Sequence, residues 1–276
     1  MPRAKPRPGC VIDPSHPLSR GCVGLWLFNE NGGTVLHDIS GNRNDGTLTN
    51  MDPSSAWVGS PNGGALDFDG TNDYLPLQIG RGLPIFSFAN PYSIVIRFKA
   101  SSNTNLWLYS EGLTSDDTPI FGFRSEPGST DKIQAFIRNT AGTNLAGNNP
   151  SVKTVFDGSW HDFVWTDNAG TVLAYIDGRI DSGISVNYTP ASTLAPNTAT
   201  IAALVRSSVS GYMPVMVNVV RIHSRVLSAD EIRWLYEEPF DNILQPKYRK
   251  YFISSTAPAT TRIRDMIGFD IFPKKR

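Results

Sequence analysis

The sequence predicts an all-β fold, an antiparallel β-sandwich that carries one short helix near its C-terminus. Apolar and polar residues alternate with a period of two in many short segments. In the stretch Tyr92–Lys99, for example, Ile94, Ile96 and Phe98 share one face. Turn signals recur about every ten residues, which is typical of antiparallel sandwiches. A content of 24 Gly and 20 Pro among 276 residues agrees with many tight turns between short strands.

Two segments show how the strands are predicted. Asp177-Gly178 separates Tyr175-Ile176 from Arg179-Ile180, and this dipeptide between apolar runs favours a two-residue hairpin. Residues 214–222 are rich in valine at both odd and even positions. We therefore expect a strand there that is covered on both faces.

One helix signature stands out. Ser228 and Glu231 have the spacing of a capping box, in which each side chain bonds the other residue's backbone N–H. Ile232, Leu235 and Tyr236 follow at helical spacing, and Pro239 ends the pattern. The sequence therefore predicts a helix of about three turns at the edge of the sandwich.

Charge divides the chain into three parts. Residues 1–20 hold four cationic side chains against one carboxylate, a net of +3, and residues 241–276 hold eight against three, a net of +5. Because the whole chain is neutral, the body between them carries −8. We predict a basic N-terminal arm at 1–20, a sandwich domain at 21–240 and a basic, aromatic arm at 241–276.

The second arm interleaves basic and aromatic side chains, and we expect it to anchor the chain to a protein partner. Aromatic residues and Arg are enriched at protein interfaces, whereas phosphate binding needs only cations. The composition thus argues against nucleic acid as the partner. The anchoring residues predicted from this pattern are Lys247, Tyr248, Arg249, Tyr251 and Phe252.

The bulk features also bear on compartment. The N-terminus has no apolar signal-peptide core, and no run reaches the roughly 18 apolar residues of a membrane span. These observations predict synthesis in a cytoplasm without membrane insertion. Two cysteines, Cys10 and Cys22, give no disulfide framework. We expect Cys22 to be a buried filler, with a Cys10–Cys22 bridge as the alternative.

Six short motifs resemble the laminin G-like family of the concanavalin A-like lectin and glucanase superfamily. They follow the family's order across residues 21–237, and the resemblance implies a jelly roll of two curved antiparallel sheets. The motifs are residues 24–30 (GLWLFNE), 38–42 (DISGN), 65–70 (ALDFDG), 159–161 (SWH), 175–178 (YIDG) and 220–232 (VRIHSRVLSADEI).

The layout also resembles a group of tailed-phage proteins. In that group a Pro-rich leader with an element like Ser15-His16-Pro17-Leu18 precedes the domain, and a basic, aromatic tail follows it. This resemblance implies a virion structural or accessory protein on the head or tail, located in the virion and contacting capsid or tail subunits. A homo-oligomer is the usual state of virion projections.

Two sites for small ligands are predicted. Asp38, Asn42 and Asp45 supply hard oxygen atoms around a Gly-containing loop, which suits calcium, and relatives of this family hold calcium near such a loop. The alternative is that these side chains only satisfy turn backbone groups. Trp107 and Tyr109, two residues apart on one strand, are candidates for stacking on glycans, with a place in the core as the alternative.

No catalytic set is predicted. Glycan hydrolases of the superfamily place their carboxylates on one strand in a pattern close to Glu-x-Asp-x-x-Glu, and no glutamate of this chain lies in such a pattern. We therefore expect a non-enzymatic virion protein with a lectin-like body that contacts glycans. A free-standing carbohydrate-binding module or adhesin is the first alternative, and a glycan hydrolase is the second.

Overall fold

The alternating segments pair into two large antiparallel sheets. The structure, a computed structural model, describes residues 4–86, 90–101, 104–128, 131–190 and 195–245. Within these residues, twenty strands and two α-helices form. In chain order they are β1 (Val11–Ile12), β2 (Cys22–Trp26), β3 (Val35–Leu36), β4 (Gly46–Thr47), α1 (Pro53–Ala56), β5 (Trp57–Ser60), β6 (Gly63–Asp69), β7 (Leu75–Leu77), β8 (Tyr92–Lys99), β9 (Trp107–Gly112), β10 (Ile120–Ser125), β11 (Ile133–Arg138), β12 (Asn144–Ala146), β13 (Trp160–Asn168), β14 (Thr171–Ile176), β15 (Arg179–Asn187), β16 (Thr198–Ile201), β17 (Leu204–Val205), β18 (Val209–Ser210), β19 (Pro214–His223), α2 (Ala229–Glu237) and β20 (Ile243–Leu244).

The two sheets confirm the predicted sandwich. The first sheet has the order β15-β14-β13-β8-β19-β6-β5, and β2 also pairs with β19. The second sheet has the order β12-β11-β10-β9-β16-β7-β4-β3. Two small ladders, β1-β20 and β17-β18, lie outside them.

The main core lies between the sheets. Ile94, Ile96 and Phe98 of β8 are fully buried there, as their alternation predicts. Phe123 of β10 packs edge to face on Phe163 of β13, with ring centroids 4.9 Å apart, and so joins the second sheet to the first. Aromatic pairs of this kind add roughly 0.5–1.5 kcal/mol beyond the burial of their area.

The Asp177-Gly178 hairpin is confirmed. It joins β14 to β15, and both turn residues have positive φ, 51° at Asp177 and 73° at Gly178. Positive φ at both positions is the type I′ requirement, and it matches the twist of the flanking strands.

The predicted helix is α2, and its capping box is present. The Ser228 hydroxyl accepts from Glu231 N at 3.2 Å, and the Glu231 carboxylate accepts from Ser228 N at 2.9 Å. Ile232 and Leu235 pack with Val95 and Val164 on the outer face of the first sheet. The helix α1 was not predicted, because a single turn after Asp52 carries no periodic pattern.

The predicted N-terminal arm lies against the sandwich. Residues 4–20 run outside both sheets and pack on them. Leu18 is fully buried beside α2, and Cys10 lies in a second outer cluster with Leu25. β1 of this segment pairs with β20, so burial and a short ladder both hold the arm in place.

Strand β19 has cover on both faces, as predicted. Val215, Val217 and Val220 face the core, and Val219 faces an outer cluster. Along one edge the strand pairs first with β6 and then with β2. The changeover falls at Asn218. There the Lys5 ammonium donates to the carbonyls of Asn218 (2.7 Å) and Gly64, and burial lowers the pKa of Lys5 to about 6.

Two further expectations concern cysteines and membranes. Cys10 and Cys22 are free and buried, and burial raises the pKa of Cys22 to about 12. In the described part of the chain, no helix has the length and apolar character to span a membrane.

Candidate functional site

Trp107 and Tyr109 do not share a face, which corrects the predicted stacking pair. The register between β9 and β10 shifts at Phe123/Arg124, and this bulge turns the two rings to opposite sides of the second sheet. Tyr109 enters the core, where its hydroxyl donates to Glu111 at 2.6 Å. Trp107 faces outward but is only 5% exposed. Neither ring therefore offers an open face to a sugar.

Trp107 belongs instead to a surface that sequence reasoning missed. The guanidinium carbon of Arg124 lies 4.4 Å from the ring centroid of Phe136 and 5.6 Å from that of Trp107. Arg138 lies 5.0 Å from the same Phe136 ring. We call Trp107, Arg124, Phe136 and Arg138 the arginine–aromatic patch.

Amide groups hold both arginines of this patch. Arg124 Nη1 donates to Asn105 Oδ1 at 2.6 Å, and Arg138 Nε donates to Asn144 Oδ1 at 2.8 Å. With the Gln134 amide oriented to satisfy its neighbours, its oxygen accepts from Arg124 Nε and Nη2 at 3.2 Å each. Burial and the nearby Arg138 charge lower the pKa of Arg124.

A groove of about 480 Å³ lies beside the β14–β15 hairpin and the end of α2. Tyr236, which lies at the edge of the groove, is 43% exposed. Arg179 and Ser182, both exposed, add polar groups, and Val152 and Ile180 add apolar surface. The groove thus combines a half-open aromatic ring with hydrogen-bonding side chains.

Two aspartates build the floor of this groove. Asp177 accepts from His161 Nδ1 at 2.9 Å, from Asp162 N at 2.9 Å and from Lys153 Nζ. Although burial opposes its ionisation, the hydrogen bonds from His161 and Lys153 lower the pKa of Asp177 to about 2. Asp181 accepts from the backbone N–H groups of Val152, Lys153 and Gly183. Both carboxylates are therefore committed to structure.

In the predicted calcium loop, the structure favours the turn interpretation. Asp38 Oδ1 accepts from Leu25 N and Ser40 N, and Oδ2 accepts from Ser40 Oγ and Asn44 N, all within 2.8–2.9 Å. Four hydrogen bonds use the acceptor sites of a carboxylate. Asp45 Oδ1 accepts from Asp38 N at 2.8 Å, and Asn42 Nδ2 donates to Val23 O at 3.2 Å.

The donor set does not fit a calcium ion in this arrangement. The described residues contain no group of three or more His, Cys, Asp or Glu side chains placed to hold a metal. Calcium at Asp38, Asn42 and Asp45 stays a prediction, and it would require those side chains to release the backbone groups.

The groups that could move protons lie in structural positions. Glu111 is fully buried and accepts from Ile85 N (3.0 Å) and Phe86 N (2.8 Å) besides Tyr109, and burial raises its pKa to about 7. His223 bonds Leu18 O at 3.0 Å, and burial lowers its pKa to about 4.

The predicted anchoring residues Lys247, Tyr248, Arg249, Tyr251 and Phe252 lie outside the described residues.

Several solved structures share the fold at low sequence identity. Domain 4 of AbnA, an extracellular arabinanase from Geobacillus stearothermophilus solved with arabinotriose, matches with a TM-score of 0.59 and 18% identity, covering 78% of this chain and 98% of that domain. The botulinum neurotoxin serotype D binding domain has a TM-score of 0.59 and 13% identity over 80% of this chain and 53% of that one. The Trypanosoma rangeli sialidase in complex with sialic acid has a TM-score of 0.56 and 17% identity, over 79% and 33%.

These matches differ in what they span. The chain corresponds to almost all of the arabinanase domain, to about half of the toxin domain and to a third of the sialidase. No curated protein matches the sequence.

The family assignment rests on residues 69–233, which match a laminin G-type family described as the concanavalin A-like lectin/glucanases superfamily. This segment is more than half of the chain, and it runs from the end of β6 into α2. It includes the β14–β15 hairpin and the capping box used in the sequence argument. The chain therefore belongs to the concanavalin A-like lectin/glucanases superfamily, whose fold is one of lectins and carbohydrate-active domains.

Proposed function

We propose that this chain is a non-enzymatic glycan-binding protein and that the groove beside Tyr236 holds the sugar. The observation that carries the proposal is Tyr236, a residue that is 43% exposed and lines a groove of about 480 Å³. Small-ligand sites are clefts of roughly 300–1,000 Å³ that combine aromatic surface with a few polar groups. Arg179 and Ser182 supply those polar groups.

The relatives support the class of ligand. An arabinanase domain of nearly the same extent was solved with arabinotriose, so this fold can present a sugar-binding surface.

Variants of Tyr236 test the groove on a glycan array. If the ring stacks on a sugar, Tyr236→Ala should lower binding of the best neutral glycan at least tenfold, since stacked aromatic contacts dominate such sites. Tyr236→Phe keeps the ring and should retain most of the binding. Equal binding by wild type and Tyr236→Ala would exclude the groove, and an array without any glycan bound by wild type would exclude the function.

The same proposal extends to where the protein works. We infer a virion structural or accessory protein, on the head or tail of a tailed phage, with capsid or tail subunits as partners. The segregated charge, the leader with Ser15-His16-Pro17-Leu18 and the basic, aromatic segment after residue 245 support it. Leu244 pairs with Val11, so a truncation after Gln245 keeps the β1-β20 ladder.

That truncation tests the anchoring. We expect the shortened protein to fold with an unchanged melting temperature and to be lost from purified particles. Incorporation at the wild-type level would contradict the anchoring role. A free-standing glycan-binding module is the alternative in that case. Turnover of any polysaccharide in an activity screen would favour the hydrolase alternative.

A further inference from the structure

The second sheet carries a surface that the groove proposal does not use. Arg124 of β10 and Arg138 of β11 project from neighbouring strands onto the same Phe136 ring, at 4.4 Å and 5.0 Å. Both guanidinium groups lie over this ring, and burial together with the nearby Arg138 charge lowers the pKa of Arg124. Two like charges are thus held close together, an arrangement with an electrostatic cost that a bound anion would relieve.

The partners of these two arginines distinguish them from the arginines that form ion pairs. Arg97 pairs with Asp162 at 2.9 Å, Arg225 with Glu231 at 2.7 Å and Arg233 with Glu237 at 2.9 Å. Arg124 and Arg138 instead bond the neutral amides of Asn105, Gln134 and Asn144. An amide fixes the geometry of a guanidinium without neutralising its charge.

Donors remain available at this surface. Within the described residues, Nη1 and Nη2 of Arg138 donate to no acceptor and no carboxylate lies within ion-pair distance of either arginine. Burial and Arg138 lower the pKa of Arg124, and the more distant Glu126 charge opposes this shift only in part. The Arg138 fork therefore matches a carboxylate, which guanidinium groups bind with two parallel hydrogen bonds.

The neighbouring groups favour a sugar as the carrier of that carboxylate. Asn105 and Asn144 are exposed on either side of the two arginines, and amide side chains can both donate to and accept from hydroxyl groups. The rings of Trp107 and Phe136 lie beneath the two guanidinium groups. We propose that the arginine–aromatic patch binds the carboxylate of an acidic saccharide, through Arg138 with Arg124 in support.

This site is independent of the groove, since the two lie on different sheets. The patch can bind an acidic saccharide even if Tyr236 has no role, and the groove can bind a sugar even if the patch binds nothing. The experiment uses the full-length protein and isothermal titration with trigalacturonate, a hyaluronan tetrasaccharide and sialyllactose. Each is compared with a counterpart that lacks the carboxylate, namely galactotriose, carboxyl-reduced hyaluronan and lactose.

We expect wild type to bind at least one acidic saccharide tenfold or more tightly than its neutral counterpart, with an affinity that falls as NaCl rises. Arg138→Gln should reduce that affinity about tenfold or more, because a charge-assisted bidentate contact is lost. Arg124→Gln removes only the supporting charge and should reduce the affinity by a smaller factor. Arg138→Lys keeps the charge without the fork and should restore only part of it. Arg233→Gln on α2 and Tyr236→Ala in the groove should leave it unchanged.

Three outcomes would overturn the proposal. Neutral and acidic saccharides could bind equally, or the glutamine variants could bind as wild type does, or none of the acidic saccharides could bind at all. Stronger, Arg138-dependent binding to polyglutamate would assign the surface to an acidic protein chain instead. Circular dichroism of each variant separates loss of binding from loss of fold.

Discussion

The outer faces of the two sheets use arginine in opposite ways. On the first sheet, α2 and the N-terminal arm cover the surface, and Arg97 and Arg221 lie beneath them. Arg221 is 1% exposed and donates to Asn242 Oδ1 at 3.0 Å and to the Pro239 carbonyl. On the second sheet, Arg124 and Arg138 are half-buried on aromatic rings.

The difference shows that burial decides the role of an outward-facing arginine, because Arg221 and Arg138 both bond neutral oxygen atoms. A buried guanidinium is tolerated only when hydrogen bonds and a counter-charge compensate its lost hydration. Burial lowers the pKa of Arg221 to about 10, so it stays charged at neutral pH and depends on those partners. An arginine held by amides at the surface keeps its charge available to a ligand.

Replacing the buried arginine should have the largest effect. Arg221→Met keeps the aliphatic stem but leaves the Asn242 and Pro239 oxygen atoms without their donor. We expect a loss of about 2–5 kcal/mol in the free energy of unfolding, because each buried oxygen atom left without its donor costs about 1–3 kcal/mol. Urea denaturation measures it. A loss below about 1 kcal/mol would mean that the covered face does not depend on this network.

The covered face should also give stability a pH dependence. Desolvation raises the pKa of Asp162 to about 6 despite the nearby Arg97. A carboxyl whose pKa is raised on folding stabilises the protein fully below its unfolded pKa near 3.8, and this contribution is lost as pH rises through 6. From pH 4 to 7 the stability of wild type should therefore fall relative to Asp162→Asn, by about 2–3 kcal/mol.

Asp177 has the opposite effect on the pH dependence of stability, and its effect falls in a lower pH range. Its pKa is lowered to about 2, so its contribution is present above pH 3.8 and is lost only as pH falls through 2. Asp177 therefore adds little pH dependence between pH 4 and 7, and the difference between wild type and Asp162→Asn isolates Asp162 from the other groups that titrate there. A parallel pH profile for wild type and Asp162→Asn would show that the aspartate is already solvated. Arg138→Gln on the second sheet should leave the profile unchanged.

The loop at Asp38 supplies a test that separates calcium from turn chemistry. Asp38→Asn removes a charged acceptor from three backbone N–H groups and should cost about 2 kcal/mol, as hydrogen bonds to charged groups usually contribute. In thermal denaturation, millimolar CaCl2 should leave the Tm of the wild-type protein unchanged. A calcium-dependent rise in Tm that Asp38→Asn abolishes would instead support the predicted calcium site.

The smallest effect is expected on the second sheet. Arg138→Met removes a stacked surface cation and one bond to Asn144, and it should cost less than about 1 kcal/mol. It is the matched control for Arg221→Met, because both replacements keep the stem and remove the guanidinium. Equal losses in the two variants would erase the distinction between the faces.

Local rules predicted the elements well and the surfaces poorly. Asp177-Gly178 and the Ser228–Glu231 box were correct because each depends on residues adjacent in sequence. The positions of Trp107 and Tyr109 were wrong because alternation assumes an unbroken strand, and one bulge changes which residues share a face. Nothing local marks that bulge, since it arises from pairing with a strand that begins more than ten residues later.

The arginine–aromatic patch was also beyond sequence reasoning, although its outward positions were not. Arg124, Phe136 and Arg138 each alternate with core residues of β10 and β11, so their outward direction follows from period two. Their meeting depends on the register that places Arg124 opposite Gln134. The groove depends likewise on where α2 places Tyr236 relative to a hairpin some sixty residues earlier, a tertiary relation.

The ladder between β1 and β20 makes the two ends of the described body neighbours. Val11 and Ile12 lie opposite Leu244 and Ile243, so a short linker could close the chain at this point without crossing the sandwich. New termini could then be opened at an exposed turn such as the one before Thr171. Such a circular permutant would keep both sheets intact, and it would show that the order of the strands along the polypeptide is not required for them to assemble.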